Sequence, residues 1–326
     1  MAEIWEHDRL YAFLRPYVDW CTENSYRFLR YRGADLPLDG AVLLAPNHTN
    51  TLMDALVILS GRKEATVFGA RADIFRKPAV ARILHFLRIL PMVRERDGLE
   101  HVSENYESFG QIDETLEHGV PFCLFAEGTH RPARTLQPVK KGIARIAYKS
   151  ARKRQTWLVP TGINYTDFFH YRGACEVRYG APLDINAFIR EHEGLTEPQM
   201  LQELRGFIEL HMAEMVEPEG PKTEKPHPLM LLAWPLAAFL SFPIWCTAEI
   251  LCRKVRDKAW CNSIRFLCHL LLLPPTILLW GIIFGLILPW TWTLPLLLST
   301  LLAFPAFYDG LTLLQPTLLR PKKKRQ

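Results

Sequence analysis

A histidine and an aspartate lie six positions apart, directly after a short apolar segment of the chain. His48 and Asp54 follow residues 40–46, whose sequence GAVLLAP predicts a buried strand that ends just before the histidine. A neutral imidazole suits a general base that takes a proton from an alcohol, because its unperturbed pKa is about 6.5. A nearby carboxylate can bind the other ring nitrogen and fix the tautomer. The pair alone is weak evidence, since a histidine with a structural role is the more common case.

A second group of polar residues follows another apolar segment, in the sequence FAEGTHR at residues 125–131. The turn at Glu127, Gly128 and Thr129 offers backbone N–H groups and a small residue, so a phosphate could approach it closely. The alternative interpretation is a solvated basic loop that closes a hairpin. The basic residues around this turn are Arg131, Arg134, Lys140 and Lys141.

Two further motifs come between and after these groups. Arg94 follows the apolar residues 90–93, and an arginine in this position can hold a phosphate through two parallel hydrogen bonds. Pro160 lies in the apolar sequence LVPTGINY at residues 158–165, which predicts a strand that ends in proline and glycine.

The order of these motifs resembles the glycerolipid acyltransferase family, which includes lysophosphatidate and glycerol-3-phosphate acyltransferases. The resemblance covers residues 40–182 and depends on four motifs that are specific only together. It implies that His48 is the general base on the acceptor hydroxyl, that Asp54 is its partner and that Arg94 binds the acceptor phosphate. It also implies that the 127–129 turn shapes the same phosphate site. The other implied substrate-lining residues are Asn47, Arg71, Lys140 and, on the acyl-donor side, Pro160.

Three positions depart from the common family pattern. Five residues rather than four separate His48 from Asp54, a spacing that resembles a subgroup containing fungal glycerol-3-phosphate acyltransferases. Facing side chains on a helix are three or four residues apart, so we expect His48 to precede the helix or the turn to contain a bulge. Ala126 replaces the usual proline and His130 the usual arginine, and we expect Arg131 to supply the missing charge.

The resemblance implies direct acyl transfer from a thioester, in phospholipid synthesis. The expected acceptor is 1-acyl-glycerol-3-phosphate, with glycerol-3-phosphate or another lysophospholipid as the alternative. Acyl-CoA or acyl carrier protein would be the co-substrate. We expect no metal and no cofactor, and the sequence has no cluster with metal-ligand spacing. A covalent serine or cysteine intermediate is not expected, because the sequence has no G-x-S-x-G motif. A thioesterase and a non-enzymatic lipid-binding scaffold are two rival hypotheses for the same sequence.

The elements that must position these residues alternate between strand and helix. This pattern predicts an α/β fold in which helices flank a mostly buried sheet. The predicted strands are 40–46, 65–69, 120–125, 156–164 and 175–179. The predicted helices are 3–31, a segment ending at 59, 74–88, 100–118, 141–152 and 196–216.

The chain after this domain is strongly apolar. We predict five regions: an amphipathic N-terminal helical region 1–36, an acyltransferase domain 37–216, a linker 217–228, a membrane region 229–319 and a basic tail 320–326. The N-terminal helix either lies at the membrane interface or packs on the core of the domain. Within the membrane region, residues 264–308 predict a transmembrane hairpin. Residues 229–252 contain two prolines and Glu249, which favours a re-entrant or interfacial segment over a third crossing.

The charge pattern gives the expected orientation. Basic residues at 253–258 and 322–325 should face the cytoplasm, and the catalytic domain should face it too, since no signal peptide is seen. The net charge of +5 beside apolar segments favours an anionic lipid surface as partner. Nucleic acid is not expected, because no helix-turn-helix or RNA-binding motif is present. The seven scattered cysteines predict reduced thiols.

Overall fold

The computed structural model describes residues 3–6, 8–33, 39–62, 64–92 and 102–314. The chain divides into two compact units. The first unit comprises Met1–Asp19, Arg30–Asn164 and Cys175–Pro221. The second comprises Trp20–Leu29, Tyr165–Ala174 and Lys222–Gln326. The short segment Tyr165–Ala174, inside the predicted domain 37–216, thus belongs to the same unit as the apolar C-terminal part of the chain.

Eight strands form one sheet among the described residues, in the order β1-β7-β6-β2-β5-β3-β4, with β8 paired to β6. The strands are β1 Phe28–Arg32, β2 Ala41–Pro46, β3 Val67–Arg71, β4 Ile89–Met92, β5 Phe122–Cys123, β6 Thr156–Tyr165, β7 Ala174–Tyr179 and β8 Leu183–Asp184. The central strands β6, β2, β5, β3 and β4 run parallel to one another. Every residue of β2 is buried, as the apolar sequence of this strand predicts.

Among the described residues, seven α-helices precede the linker. They are α1 Arg9–Asn24, α2 Leu52–Ser60, α3 Pro78–Phe86, α4 Val102–Glu117, α5 Lys141–Ala151, α6 Ile185–Glu191 and α7 Glu197–Met215. Residues of α4, α5, α6 and α7 join β2, β5 and β6 in one hydrophobic core. The alternation of buried strands with packed helices confirms the predicted α/β class.

Several predicted boundaries are wrong. The helix predicted over residues 3–31 ends at Asn24, and residues 28–32 form β1, where the aromatic sequence FLRYR suits a strand beside β7. The helix predicted over 74–88 is a 3-10 turn, Ala72–Phe75, followed by α3. Pro78 begins α3 because proline is favoured in the first turn of a helix. Strand β4 has no counterpart among the predicted strands.

Four α-helices follow the linker in the part of the chain that the structure describes. They are α8 Met230–Leu240, α9 Phe242–Lys254, α10 Cys261–Ile287 and α11 Trp290–Leu314. By length and composition, two helical segments among the described residues could each cross a membrane, one spanning Lys258–Ile287 and the other α11. The pair α8–α9 would pass the same test jointly, but it bends by 81° at its break.

The contacts of α9 show that it turns back after this break. At the end of α8, the Leu240 carbonyl accepts a hydrogen bond from Trp280 Nε1 at 2.8 Å. In the middle of α9, Glu249 Oε1 accepts from Nε of Arg265, in the second turn of α10, at 2.9 Å. Fifteen helical residues separate Arg265 from Trp280, or about 22 Å along the α10 axis. Helix α9 therefore runs from the level of Trp280 towards the beginning of α10, in the direction opposite to that of α10.

The second unit also contains a group of ion pairs, which we call the ionic cluster: Arg27, Arg172 and Asp309. Asp309 lies in α11 and its side chain is only 9% exposed. It binds Arg27 Nη2 at 2.8 Å through Oδ1 and Arg172 Nη2 at 2.8 Å through Oδ2. Nη1 of Arg172 donates to the carbonyls of Asn24 and Tyr26. The cluster joins three distant parts of the sequence within one unit.

Candidate active site

The parallel strands bring the two predicted motifs to one edge of the sheet. Strand β2 ends at Pro46, two residues before His48, and its neighbour β5 ends at Cys123, four residues before Glu127. Both strands run in the same direction, so their carboxyl ends meet at this edge. The residues after these ends can therefore act on one substrate.

Asn47 fixes the chain between β2 and the histidine. Its Oδ1 accepts from the Ile163 backbone N–H at 2.6 Å, and its Nδ2 donates to the Ile163 carbonyl at 3.2 Å. The residue is 1% exposed, and both polar atoms of its amide are used by β6. Asn47 therefore holds the end of β2 in this arrangement, and the substrate-lining role that the resemblance implied stays a prediction.

The turn after His48 accommodates the additional residue before Asp54. Helix α2 begins only at Leu52, so His48 precedes it, as the spacing predicted. Thr51, immediately before the helix, has a φ of 51°. A β-branched residue rarely adopts this left-handed conformation, and such strain costs on the order of 1–3 kcal/mol. The strained turn lets Asp54, in the first turn of α2, face back towards the histidine.

His48 and Asp54 form a hydrogen-bonded dyad. The distance from His48 Nδ1 to Asp54 Oδ2 is 2.8 Å. The backbone N–H groups of Thr49 and Asn50 donate to the same oxygen, each at 2.7 Å. Because a carboxylate oxygen accepts hydrogen bonds, Nδ1 carries a proton and Nε2 of the neutral ring has a free lone pair. Asp54 is fully buried, whereas the His48 side chain is 18% exposed.

Aromatic rings and the loop after β5 hold the imidazole in place. The His48 ring stacks on Phe125 with a centroid distance of 4.2 Å, and the ring of His130 approaches its edge at 5.7 Å. The His48 carbonyl accepts a hydrogen bond from the Arg131 backbone N–H at 3.0 Å. These contacts orient the ring while part of it stays open to solvent.

Glu127 is a buried carboxylate in the turn beside the dyad. Its Oε2 accepts a hydrogen bond from Gln137 Nε2 at 2.8 Å, and the same Nε2 donates to the Thr129 carbonyl at 3.0 Å. Its Oε1 is buried and has no partner among the described residues. Burial raises the pKa of Glu127 above its usual value, and the hydrogen bonds from Gln137 and the nearby His48 offset this only in part. The turn needs Gly128, whose φ is 68°.

One family model matches the part of the chain that contains this site. Residues 28–164 match the model of the family described as Acyltransferase. The chain carries an acyltransferase domain. The match covers less than half of the 326 residues; it supports the acyltransferase class that the motifs predicted and does not test the subgroup with five intervening residues.

Comparisons with individual proteins give one solved structure and no curated relative. No curated protein matches the chain. Among solved structures, the chain is similar to the crystal structure of the 1-acyl-sn-glycerophosphate (LPA) acyltransferase PlsC from Thermotoga maritima, with 18% identity and a TM-score of 0.46. The match covers 67% of this chain and 86% of that one.

The basic residues assigned to the acyltransferase site differ in their placement. Arg131 is exposed, and its Nη2 donates to Thr135 Oγ1 at 3.0 Å within the same loop. Lys140 is exposed, and its backbone N–H donates to the Ala126 carbonyl at 2.8 Å. Arg71, at the end of β3, forms an ion pair with Asp73. Arg94 lies outside the described residues, so its predicted role remains a prediction.

Pro160 lies within the sheet and not at a strand end. It is buried in β6, in register with Ala45 of β2, and its carbonyl accepts from the Gly180 backbone N–H at 2.8 Å. Ala45 lies three residues before His48, and the predicted contact of Pro160 with an acyl donor stays a prediction. The sequence does not indicate Gln137 as a site residue, because its contact with Glu127 exists only once the loop has folded back.

Among the described residues, no group of three or more His, Cys, Asp or Glu could hold a metal ion.

Proposed function

We propose that this acyltransferase moves a fatty acyl group from an acyl thioester to the hydroxyl of 1-acyl-glycerol-3-phosphate. The observation that carries the proposal is the 2.8 Å contact of His48 Nδ1 with Asp54, in an acyltransferase domain and with the ring open to solvent. This geometry leaves Nε2 as the proton acceptor, which is what a direct attack by an alcohol requires.

The reaction follows from this arrangement. Nε2 of His48 takes the hydroxyl proton while the acceptor oxygen attacks the thioester carbonyl and forms a tetrahedral oxyanion. Asp54 stabilises the imidazolium through Nδ1. The intermediate then expels the thiolate, which takes the proton from Nε2, so the products are an ester and a free thiol. Three hydrogen bonds to Asp54 Oδ2 hold the carboxylate in position throughout.

Glu127 and its turn would bind the acceptor beside the dyad. A carboxylate repels a phosphate, so Oε1 of Glu127 would accept from a donor other than the phosphate. Glycerol-3-phosphate, the alternative acceptor, has a second hydroxyl that can donate to this atom, whereas the single hydroxyl of 1-acyl-glycerol-3-phosphate donates to His48. Gly128 lets the phosphate approach the backbone of the turn. The charges that would neutralise the phosphate are those of Arg131, Lys140 and, by family resemblance, Arg94.

The donor would be acyl-CoA or an acyl carrier protein, and the reaction as written needs no metal or cofactor. Glycerol-3-phosphate or another lysophospholipid is the alternative acceptor, favoured by the five-residue spacing between His48 and Asp54. A lipid-binding scaffold without activity is the alternative from another class, and the intact dyad is the observation against it.

An acceptor screen tests the proposed reaction. Membranes containing the full chain would receive acyl-CoA together with glycerol-3-phosphate, lysophosphatidate or other lysophospholipids, and thiol release would be followed. We expect rapid release only with lysophosphatidate. Release with glycerol-3-phosphate alone would favour the alternative acceptor. Release without any acceptor would indicate a thioesterase, and none in any arm would favour the scaffold.

We propose further that α10 and α11 form a transmembrane hairpin and that α8–α9 is re-entrant. Support comes from α9, which returns to the start of α10 through the pair Glu249–Arg265. The basic residues 253–258 would then face the cytoplasm together with the catalytic domain. Membrane-impermeant thiol reagents test this orientation. They should label Arg256→Cys from the cytoplasmic side and Thr291→Cys from the opposite side, and labelling of both from one side would contradict it.

A further inference from the structure

Helix α3 presents an apolar face that no part of the described structure covers. None of its nine residues is buried. Val80, Ile83 and the following Leu87 lie three and four positions apart, so they share one face of the helix. They are 37%, 59% and 43% exposed. A surface helix usually turns its apolar side inwards, so large aliphatic residues in an outward row indicate a contact outside the protein.

Helix α1 adds a second apolar face in the same part of the first unit. Phe13 is 79% exposed and Leu10 is 56% exposed, and both lie on one side of the helix. The two helices are neighbours, since the rings of Tyr11 and Phe86 lie 6.1 Å apart. We call the combined region the α1–α3 surface; its members are Leu10, Phe13, Leu14, Ile74, Val80, Ile83 and Leu87.

The charges around the α1–α3 surface are mainly positive. Asp8 accepts from two backbone N–H groups at the start of α1, and Asp73 pairs with Arg71. Exposed Glu6 accepts from the Glu3 backbone N–H, and exposed Glu23 lies in the last turn of α1, away from Phe13. The exposed basic residues on the same elements are Arg9, Arg76, Lys77 and Arg82. An apolar face bordered by cations matches a bilayer with anionic headgroups. The acyl chains of such a bilayer would contact the apolar residues, and its phosphates would bind the cations.

We propose that the α1–α3 surface is seated in the interface of an anionic lipid bilayer. Isolated apolar residues on a protein surface are common, but seven large ones on two neighbouring helices and the residues that flank α3, with a basic border, are not. The exposed side chains would enter the boundary between headgroups and acyl chains, and the arginines and Lys77 would remain at the level of the phosphates.

This position also gives a lipid substrate a route to the site, a consequence that rests on the proposed function. Strand β3 ends at Arg71, and the chain continues directly into the 3-10 turn and α3. Strands β3 and β2 lie on either side of β5, so their carboxyl ends are two strand spacings, or about 10 Å, apart. The start of α3 therefore lies at the same edge of the sheet as His48. An acceptor leaving the bilayer here would reach the dyad without crossing bulk water.

Fluorescence quenching tests the seating independently of activity. The full chain would carry Cys246→Ser, which removes the half-exposed thiol, and Ile83→Cys labelled with a small fluorophore. In vesicles of phosphatidylcholine and phosphatidylglycerol, doxyl-labelled lipids should quench this label strongly. The matched control is Leu210→Cys on α7, a residue that is 62% exposed beside the exposed Glu214, and its label should remain unquenched.

Two outcomes would overturn the proposal. An unquenched label at position 83 would show that lipid does not contact α3. Cross-linking between copies through Ile83→Cys, without quenching by doxyl lipids, would assign the α1–α3 surface to self-association. Neither outcome depends on which acceptor the enzyme uses, so a failure of this proposal is distinguishable from a failure of the proposed reaction.

Kinetics provide the second measurement. The double variant Val80→Glu, Ile83→Glu should raise the apparent KM for long-chain lysophosphatidate in vesicles roughly tenfold, because it removes apolar contacts with the bilayer. The same variant should leave activity on a soluble hexanoyl lysophosphatidate unchanged, which also shows that it folds. Leu210→Glu should change neither value. An equal loss on both acceptors would indicate a structural role for α3 and contradict the proposal.

Discussion

Two buried polar clusters, one in each unit, differ in how completely their atoms are bonded. In the ionic cluster, Arg172 uses all three guanidinium nitrogens and Asp309 uses both carboxylate oxygens. In the catalytic domain, Glu127 Oε1 is buried with no partner among the described residues, and the ring of His48 is partly exposed.

The difference separates structural polar groups from those available for chemistry. A buried acceptor without a hydrogen bond costs about 1–3 kcal/mol, so a folded protein seldom retains one unless a ligand completes it. A buried charge whose partners are all present has nothing left to offer a substrate. We therefore assign the ionic cluster to holding the second unit together and the incomplete cluster to catalysis.

The largest effect should come from removing the base. His48→Ala should lower the turnover number by about 10²–10⁴-fold, the range typical of general-base catalysis. The free energy of unfolding should change little, since the ring is partly exposed and its only side-chain hydrogen bond within the described residues goes to Asp54. Steady-state thiol release and thermal unfolding in detergent would measure both. Turnover at the wild-type level would remove His48 from the mechanism.

A substitution in the ionic cluster should lower stability and should not lower the activity of the folded protein. Asp309→Ala leaves Arg27 and Arg172 without a counter-charge, and breaking a buried ion pair from one side costs about 3–5 kcal/mol. We expect a lower unfolding temperature, with activity lost only as the protein unfolds. Glu224→Ala is the matched control, because exposed Glu224 contacts Arg27 through its backbone carbonyl alone. Equal unfolding temperatures for the two variants would refute the structural assignment.

The smallest change in stability should come from Glu127→Gln. In this variant stability and acceptor binding should change in opposite directions. Burial raises the pKa of this carboxyl in the folded state, so wild-type stability is full below the unfolded pKa of about 4.3 and falls as pH rises through the folded value. A neutral glutamine does not have this loss. The difference in unfolding temperature, variant minus wild type, should therefore increase as the pH rises from about 4 to 7.

Activity should move the other way in the same variant. If Glu127 binds the acceptor, Glu127→Gln should raise the KM for the acceptor while stability at neutral pH is kept or improved. A stability difference that does not vary with pH would contradict the raised pKa. An unchanged acceptor KM would place Glu127 outside the binding site.

The sequence alone determined the class of fold, the enzyme class and the positions of the chemical motifs. The all-apolar sequence of β2 could only be a buried strand, so the residue that follows it had to lie at a sheet edge. The spacing of His48 and Asp54 excluded a regular helix between them. Motif order predicted an acyltransferase domain, and the family model matches residues 28–164. These conclusions depend on neighbours in sequence or on fixed periodicities, which a sequence contains directly.

Tertiary structure decided what depends on distant partners. Gln137 reaches Glu127 only because the loop folds back, and Asn47 is committed to Ile163 only because β6 lies beside β2. Arg172 and Asp309 are 137 residues apart. The return of α9 after Ser241 became visible only through Glu249 and Arg265. Each of these contacts follows from which elements become neighbours, and local propensity does not determine that choice, since the packing of the whole chain does.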